Sequence, residues 1–321
     1  MKKLGMLLTA LLLLLLLPLN AWAEELLVPV GKIVGLQLRN DTVTVAAFDD
    51  AMGSLARDAG LRIGDEILKA GERTVRTPAD VRAALEECGG SITLTVRRGS
   101  KQSTLEITPR KTSDGYRLGV FLRQGIAGIG TVTWYDPETG KFGALGHGVN
   151  EPGGCLLKMT EGNTYDAEIL SVKKGKAGCP GQLKGSADAG SVCGNLYRNS
   201  PQGVFGVTRE QWEGTPVPTA ALSHLHTGTA SIRSTVTGSA PRDYSVEILK
   251  IYPSGRTDGR DLLLKITDPA LLETTGGIVQ GMSGSPIIQD GKLVGAVTHV
   301  LVGDPTMGYG IYIGNMLDAA A

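Results

Sequence analysis

Gly281-Met282-Ser283-Gly284-Ser285-Pro286 runs directly into Ile287-Ile288, the turn Gln289-Asp290-Gly291-Lys292 and the apolar run Leu293-Val-Gly-Ala-Val-Thr298. Two short runs rich in β-branched residues, joined through Asp-Gly, read as a β-hairpin. The serine ahead of it is framed by glycines on a tight turn. Such a turn exposes the hydroxyl and leaves backbone N–H groups free to face a developing oxyanion. The composition agrees with a turn-rich, mainly β protein: 45 of 321 residues are glycine, 41% are hydrophobic and only 20% are charged. Those proportions exclude a disordered or collagen-like chain. The 32 basic and 32 acidic side chains cancel, which argues against nucleic-acid binding because phosphate neutralisation needs a basic excess.

Working upstream, Tyr116 to Leu122 and Gly128 to Tyr135 read as strands, Asp136-Pro-Glu-Thr-Gly140 as a turn and Phe142 to Leu145 as the return strand. No long amphipathic helix interrupts this region, which favours a β-barrel or sandwich. The Ser283 stretch resembles the G-x-S-G-x-P nucleophile loop of chymotrypsin-like serine proteases, including the hairpin after it. The resemblance implies that Ser283 is the nucleophile and that the N–H groups of Gly281 and Ser283 form the oxyanion hole; Ser285 stands where those enzymes usually carry glycine.

A serine nucleophile needs a base, and the chain has four histidines. His147, in Gly143-Ala-Leu-Gly-His-Gly-Val149, follows a strand and precedes Ser283 by a barrel's length of chain, the His, Asp, Ser order of chymotrypsin-like enzymes. His224 and His226 alternate as on one face of a strand, a pair that could ligate a metal but lacks a clear third ligand, so no metal site is expected. His299 falls on the strand after Ser283 as a core or pocket residue. For the carboxylate that orients the imidazole, Asp268 ends the apolar strand Leu262 to Ile266, with Asp258 and Asp261 as rivals.

Between Leu27 and Arg110 the pattern is strand, strand, short helix, strand, helix, strand. Thr77 caps the second helix, with Pro78 at its first position and Asp80 three residues after the cap. Val81, Ala84, Leu85 and Cys88 recur on one face, which places Cys88 in a core, and Gly89-Gly90 ends the helix. Ala59-Gly60-Leu61-Arg62-Ile63-Gly64-Asp65-Glu66-Ile67-Leu68 resembles the A-G-L-x-x-G-D-x-I-L signature of circularly permuted PDZ domains in bacterial exported proteases. Such domains add an extended peptide beside a hydrophobic-Gly-hydrophobic loop, a form that Val34-Gly35-Leu36 matches.

Residues 1–23 read as an export signal: Lys2 and Lys3, the apolar run Met6 to Leu17, and Ala21-Trp22-Ala23 as an A-x-A cleavage pattern. An uncleaved membrane anchor is the competing reading, and either places the remainder outside the cytoplasm. Without those lysines the mature chain carries 30 basic and 32 acidic residues, a nearly neutral balance. Of the four cysteines only Cys179 and Cys193 are close in sequence, and the pairing of Cys155, Cys179 and Cys193 stays open.

Phe142-Gly-Ala-Leu-Gly-His-Gly148, the stretch from Ile266 to Ile288, and Val294-Gly-Ala-Val-Thr-His-Val300 resemble the stage IV sporulation protein B peptidase family. The order of signal, PDZ domain (27–110) and peptidase domain (116–321) is similar too. The resemblance implies a cofactor-free serine endopeptidase with His147, Asp268 and Ser283 as its triad. It would be exported across the forespore membrane into the intermembrane space. There it would cut itself and then a membrane-bound inhibitory complex, releasing an intramembrane protease that processes the mother-cell sigma factor precursor. The alternative is an inactive PDZ scaffold that binds a membrane-protein tail.

Overall fold

The computed structural model describes residues 25–152, 154–252 and 258–321. The expected export signal, residues 1–23, lies outside the described residues. Strands β1 (Leu26–Pro29) and β2 (Ile33–Phe48) come first, followed by helix α1 (Ser54–Asp58), β3 (Glu66–Ala70), β4 (Arg73–Thr74), helix α2 (Pro78–Glu87), β5 (Ile92–Arg98) and β6 (Lys101–Ile107). A small hairpin, β7 (Arg110–Thr112) and β8 (Gly115–Arg117), leads into β9 (Val120–Tyr135). Then come β10 (Lys141–Ala144), β11 (Glu161–Lys173), β12 (Gln182–Ser200) and β13 (Gly203–Thr208).

β2, β9, β10, β13, β12 and β11 are neighbours in that order, and β11 pairs back onto β2, so six strands close into a barrel. Alternate side chains point inward, as a pleated strand dictates, and Val34, Leu36, Leu38, Val132, Phe142, Ala144, Leu196 and Val204 form its core. The rest of the chain runs through β14 (Val217–Pro218), β15 (Gly228–Ser234), β16 (Arg242–Ile251), β17 (Leu262–Ile266), helix α3 (Pro269–Thr275), β18 (Pro286–Gln289), β19 (Lys292–Val300), β20 (Met307–Tyr312) and helix α4 (Ile313–Ala320). Six of these strands close a second barrel in the order β15-β16-β17-β20-β19-β18. Ile232, Val246, Ile248, Leu262, Leu264, Ile287 and Val297 fill it. The expected β-barrel peptidase region is therefore a pair of barrels, and α4 packs Ile313 and Met316 against Trp134 and Phe205 of the first.

The PDZ module has its own core, from Val43 and Val45 through Ile67, Val81, Leu85, Leu94 and Val96 to Leu118. Helix α2 carries the expected capping box: Asp80 N–H donates to Thr77 Oγ1 at 3.3 Å, and Thr77 N–H donates to Asp80 Oδ2 at 2.8 Å. The N–H groups of Arg76 and Thr77, with the Thr77 hydroxyl, all donate to the Asp80 carboxyl and hold it below its ordinary pKa. Cys88 is packed against this core, as its helical spacing implies.

Two expectations change. The boundary at residue 27 does not hold, because β1 and the first half of β2 belong to the first barrel, and the module sits between β2 and β9 rather than ahead of the peptidase. The strands diverge where Leu38 pairs with Ile126 but the next pair is Val43 with Gln124. Gly125 makes that exit possible: its φ is +74°, and a Cβ there would lie 1.9 Å from the Leu38 carbonyl oxygen. Val34-Gly35-Leu36 is also not a peptide-binding edge. Gly35 pairs with Ile129 of β9 on one side and Tyr165 of β11 on the other, so neither edge is left for a peptide.

The same hydrophobic-Gly-hydrophobic pattern recurs at Leu118-Gly119-Val120, at the start of β9. Val120, Phe121 and Leu122 pair with β2 on one side. Among the described residues no strand takes their other edge, which faces α2 across a groove of about 280 Å³ lined by Val81, Leu85, Leu118 and Leu122. The sequence pattern thus occurs twice, and pairing within the barrel encloses the first copy on both edges.

Candidate active site

The two barrels each contribute one reactive side chain. His147 stands in the loop after β10, and Ser283 in the turn before β18. Both line one cavity of about 450 Å³, together with Gly281, His299 and aliphatic side chains including Leu36, Ile129, Ile278 and Val300.

The nucleophile turn is fixed from both barrels. Thr131 of β9 donates its N–H to the Ser283 carbonyl (3.2 Å) and its hydroxyl to the Gly281 carbonyl (2.8 Å). Gly284 N–H donates to Val297 (2.8 Å), and Ser285 N–H to Met282 (3.0 Å). Among the described residues, no carbonyl takes the N–H of Gly281 or Ser283, the two groups expected to form the oxyanion hole. Ser285, in the position usually held by glycine, is buried and bonds Ser234 Oγ (2.9 Å) and the Met282 carbonyl (2.7 Å), so its hydroxyl braces the turn from behind.

Ser283 Oγ donates to the Thr298 carbonyl at 2.8 Å, so in this state its proton faces backbone rather than imidazole. Free enzymes often hold catalytic hydrogen bonds long or misaligned until substrate binds. His147 Nδ1 lies 3.0 Å from the Gly148 carbonyl. A carbonyl only accepts, so Nδ1 carries the hydrogen and Nε2 keeps its lone pair, the tautomer that a general base needs. Burial depresses the pKa of His147, and the bond to Gly148 opposes that shift.

Asp268 is not brought to His147. Its carboxylate caps α3, accepting the Leu271 N–H at 2.9 Å and the Ser245 N–H at 3.4 Å. A sequence of Asp-Pro ahead of a short helix is itself an N-cap signal, and here that is what it specifies. Asp261 is buried under the second barrel, accepting from Tyr312 N–H and Asn315 Nδ2 at 2.8 Å each. Asp258 lies near the cavity, where its charge opposes the depression of the His299 pKa.

His299 is the unplanned member of the site. Its ring centroid is 5.4 Å from that of His147, and its buried Nδ1 has no hydrogen-bond partner. Burial first, then His147 and Arg260, push its pKa down to about 4. His299 is therefore neutral in the folded protein near pH 6 and burial disfavours the charged form of His147, whereas the histidines of the unfolded chain take up protons as the pH falls through 6.5. Stability should be full above pH 6.5 and fall as the pH drops towards 4. Thermal unfolding across pH 4 to 8 should show this decline, and His299→Gln should flatten it.

His224 and His226 do not share a strand face. His224 ends a short 3-10 turn, and His226 Nε2 pairs with Asp290 Oδ2 at 2.8 Å. No cluster of metal-ligating side chains occurs among the described residues. All four cysteines are free, with Cys193 buried against Thr164 Oγ1 and Cys155 and Cys179 exposed.

Comparison with known proteins places this geometry. Residues 51–98 match the PDZ domain family. Among solved structures, Rv3671c from M. tuberculosis H37Rv, in an inactive form with a serine-to-alanine mutation, is 13% identical, with a TM-score of 0.34 over 61% of this chain and 82% of that one. Rv3671c protease in its inactive form is 14% identical, with a TM-score of 0.33 over 61% of this chain and 85% of that one. No curated protein matches the sequence. Residues 114–317, which contain His147, Asp268 and Ser283 and make up well over half of the sequence, match SpoIVB peptidase S55, and the chain belongs to that family of serine peptidases.

Proposed function

We propose that this protein is an exported serine endopeptidase of endospore formation that cuts itself and then a membrane-bound inhibitory complex. Release of an intramembrane protease would follow, triggering processing of the mother-cell sigma factor precursor. The observation that carries the reading is the meeting of Ser283 and His147, one from each barrel, in a single cavity. Its place of action would be the space between the two membranes around the forespore, with the apolar N-terminal segment delivering it there and allowing transient membrane contact.

In this mechanism a substrate carbonyl enters the cavity and Ser283 Oγ leaves the Thr298 carbonyl. His147 Nε2 takes the hydroxyl proton as Oγ bonds to the carbonyl carbon. The carbonyl oxygen becomes an oxyanion facing the N–H groups of Gly281 and Ser283. Collapse expels the amine, which receives the proton from His147, and water repeats the sequence to free the acyl group. No step calls for a metal or cofactor. The groove between α2 and the edge of β9 would hold an extended segment of the partner.

The alternative of an inactive scaffold draws on one feature, the Ser283 hydroxyl resting on Thr298 instead of His147. Treating the protein with a serine-directed phosphonate separates the two readings. A covalent adduct mapped to Ser283, absent from Ser283→Ala, is expected of the peptidase. An unlabelled wild-type protein would leave the scaffold.

A further inference from the structure

Asn199 is the penultimate residue of β12, beside the tip of the hairpin that returns as β13, and its side chain is wholly committed to the loop that carries His147. Nδ2 donates to the Val149 carbonyl (2.8 Å) and the Leu157 carbonyl (3.0 Å), while Oδ1 accepts the Val149 N–H (2.9 Å). Only this orientation of the amide matches donors with acceptors.

The Val149 N–H and the Gly148 carbonyl belong to the same peptide unit. Its partial double bond keeps the two groups coplanar and antiparallel, so fixing one fixes the other. That carbonyl is the one that holds His147 Nδ1. A line of hydrogen bonds thus runs from the imidazole through one peptide plane to a side-chain amide. Gly148 is also pressed against the hairpin tip, where a Cβ would lie 2.7 Å from the Ser200 carbonyl oxygen.

We propose that Asn199 is a positioning residue for the base, acting through the Gly148–Val149 peptide to do for His147 what a triad carboxylate does by direct contact. The inference rests on the peptidase reading above. Each bond in such a line polarises the next, so the Gly148 carbonyl becomes a better acceptor for Nδ1–H when Val149 N–H is engaged. The gain is largest when His147 has taken the Ser283 proton and carries a positive charge. The other titratable or charged groups near the imidazole are His299 from β19, with Arg260 and Asp258 beyond it. Further along the same loop Glu151 is engaged by Asn40.

The test uses full-length mature protein, its active fraction titrated with the phosphonate. In Asn199→Ala, kcat per titrated site is expected to fall by about 10²-fold, the effect of misplacing a catalytic group, with KM nearly unchanged. The acidic limb of its kcat/KM profile should move to lower pH, because the charged imidazole has lost support. Asn199→Asp keeps an acceptor for Val149 N–H and makes it anionic, so its limb should move to higher pH. A simple loop staple would lower the melting temperature and the titrated fraction while leaving kcat per site and both limbs in place, and that result overturns the proposal. Asn199→Asp carries the test alone if the alanine variant does not fold. Wild-type protein that takes no phosphonate would instead bring down the peptidase reading.

Discussion

Replacing His147 with alanine is expected to lower kcat by about a million-fold, as much as removing the nucleophile itself. An unassisted serine hydroxyl is a poor nucleophile, and the proton it releases has nowhere else to go: His299 is the other base lining the cavity, and its pKa of about 4 makes it a weak one. The two losses should not add, because Ser283 and His147 act as a unit; the double variant should be no slower than either single one. Single-turnover hydrolysis of a peptide substrate, with circular dichroism to confirm folding, measures both. Asp268→Asn is the informative companion. Asparagine is as good a helix cap as aspartate, so if Asp268 serves α3 alone, the variant should keep its stability and kcat. A fall of about 10⁴-fold would mean that the working enzyme brings this carboxylate to the imidazole, as a direct triad requires.

Gly284→Ala should be a severely damaging small substitution. At φ +96° the residue occupies backbone space closed to most side chains. An added Cβ would sit 2.0 Å from the Thr131 carbonyl oxygen and 2.6 Å from the Leu145 nitrogen. These are backbone atoms of β9 and of the segment leading to His147, and they bond each other at 3.2 Å. The methyl group would therefore push the nucleophile turn away from the base at the point where the barrels meet. Strained backbone and overpacking each cost about 1–3 kcal/mol, so a combined loss of ~2–6 kcal/mol is expected in chemical denaturation. The displacement of Ser283 should reduce kcat by about 10²-fold or more in whatever remains folded.

Much of the site was legible because its signals are local. A glycine-framed serine before an Asp-Gly hairpin, and a histidine after a strand between glycines, are statements about turns, and the structure keeps both. The capping box at Thr77 and Asp80 was equally local. What failed depended on pairing between distant strands. Val34-Gly35-Leu36 and Leu118-Gly119-Val120 carry the same pattern, and only the partners of β2 reveal that the first is enclosed on both edges. Asp268 is ambiguous for another reason: a capping aspartate and a triad aspartate look identical in sequence, and here the residue ahead of Pro269 caps α3. Asn199 stands near the end of a strand just ahead of an ordinary turn at Pro201, and nothing nearby announces that it reaches a loop 50 residues upstream.

β2 and β9 each pass from the peptidase barrel into the PDZ module without a break. Leu38 and Ile126 face each other across the ladder, and everything between them is, in the wiring of the barrel, the tip of one β-hairpin. Where another barrel would close that hairpin with a tight turn, this one has grown a whole PDZ module out of it. Module and barrel therefore share beams rather than a tether. A segment laid against the free edge of β9 would lie along the same strand that carries Thr131, the anchor of the nucleophile turn.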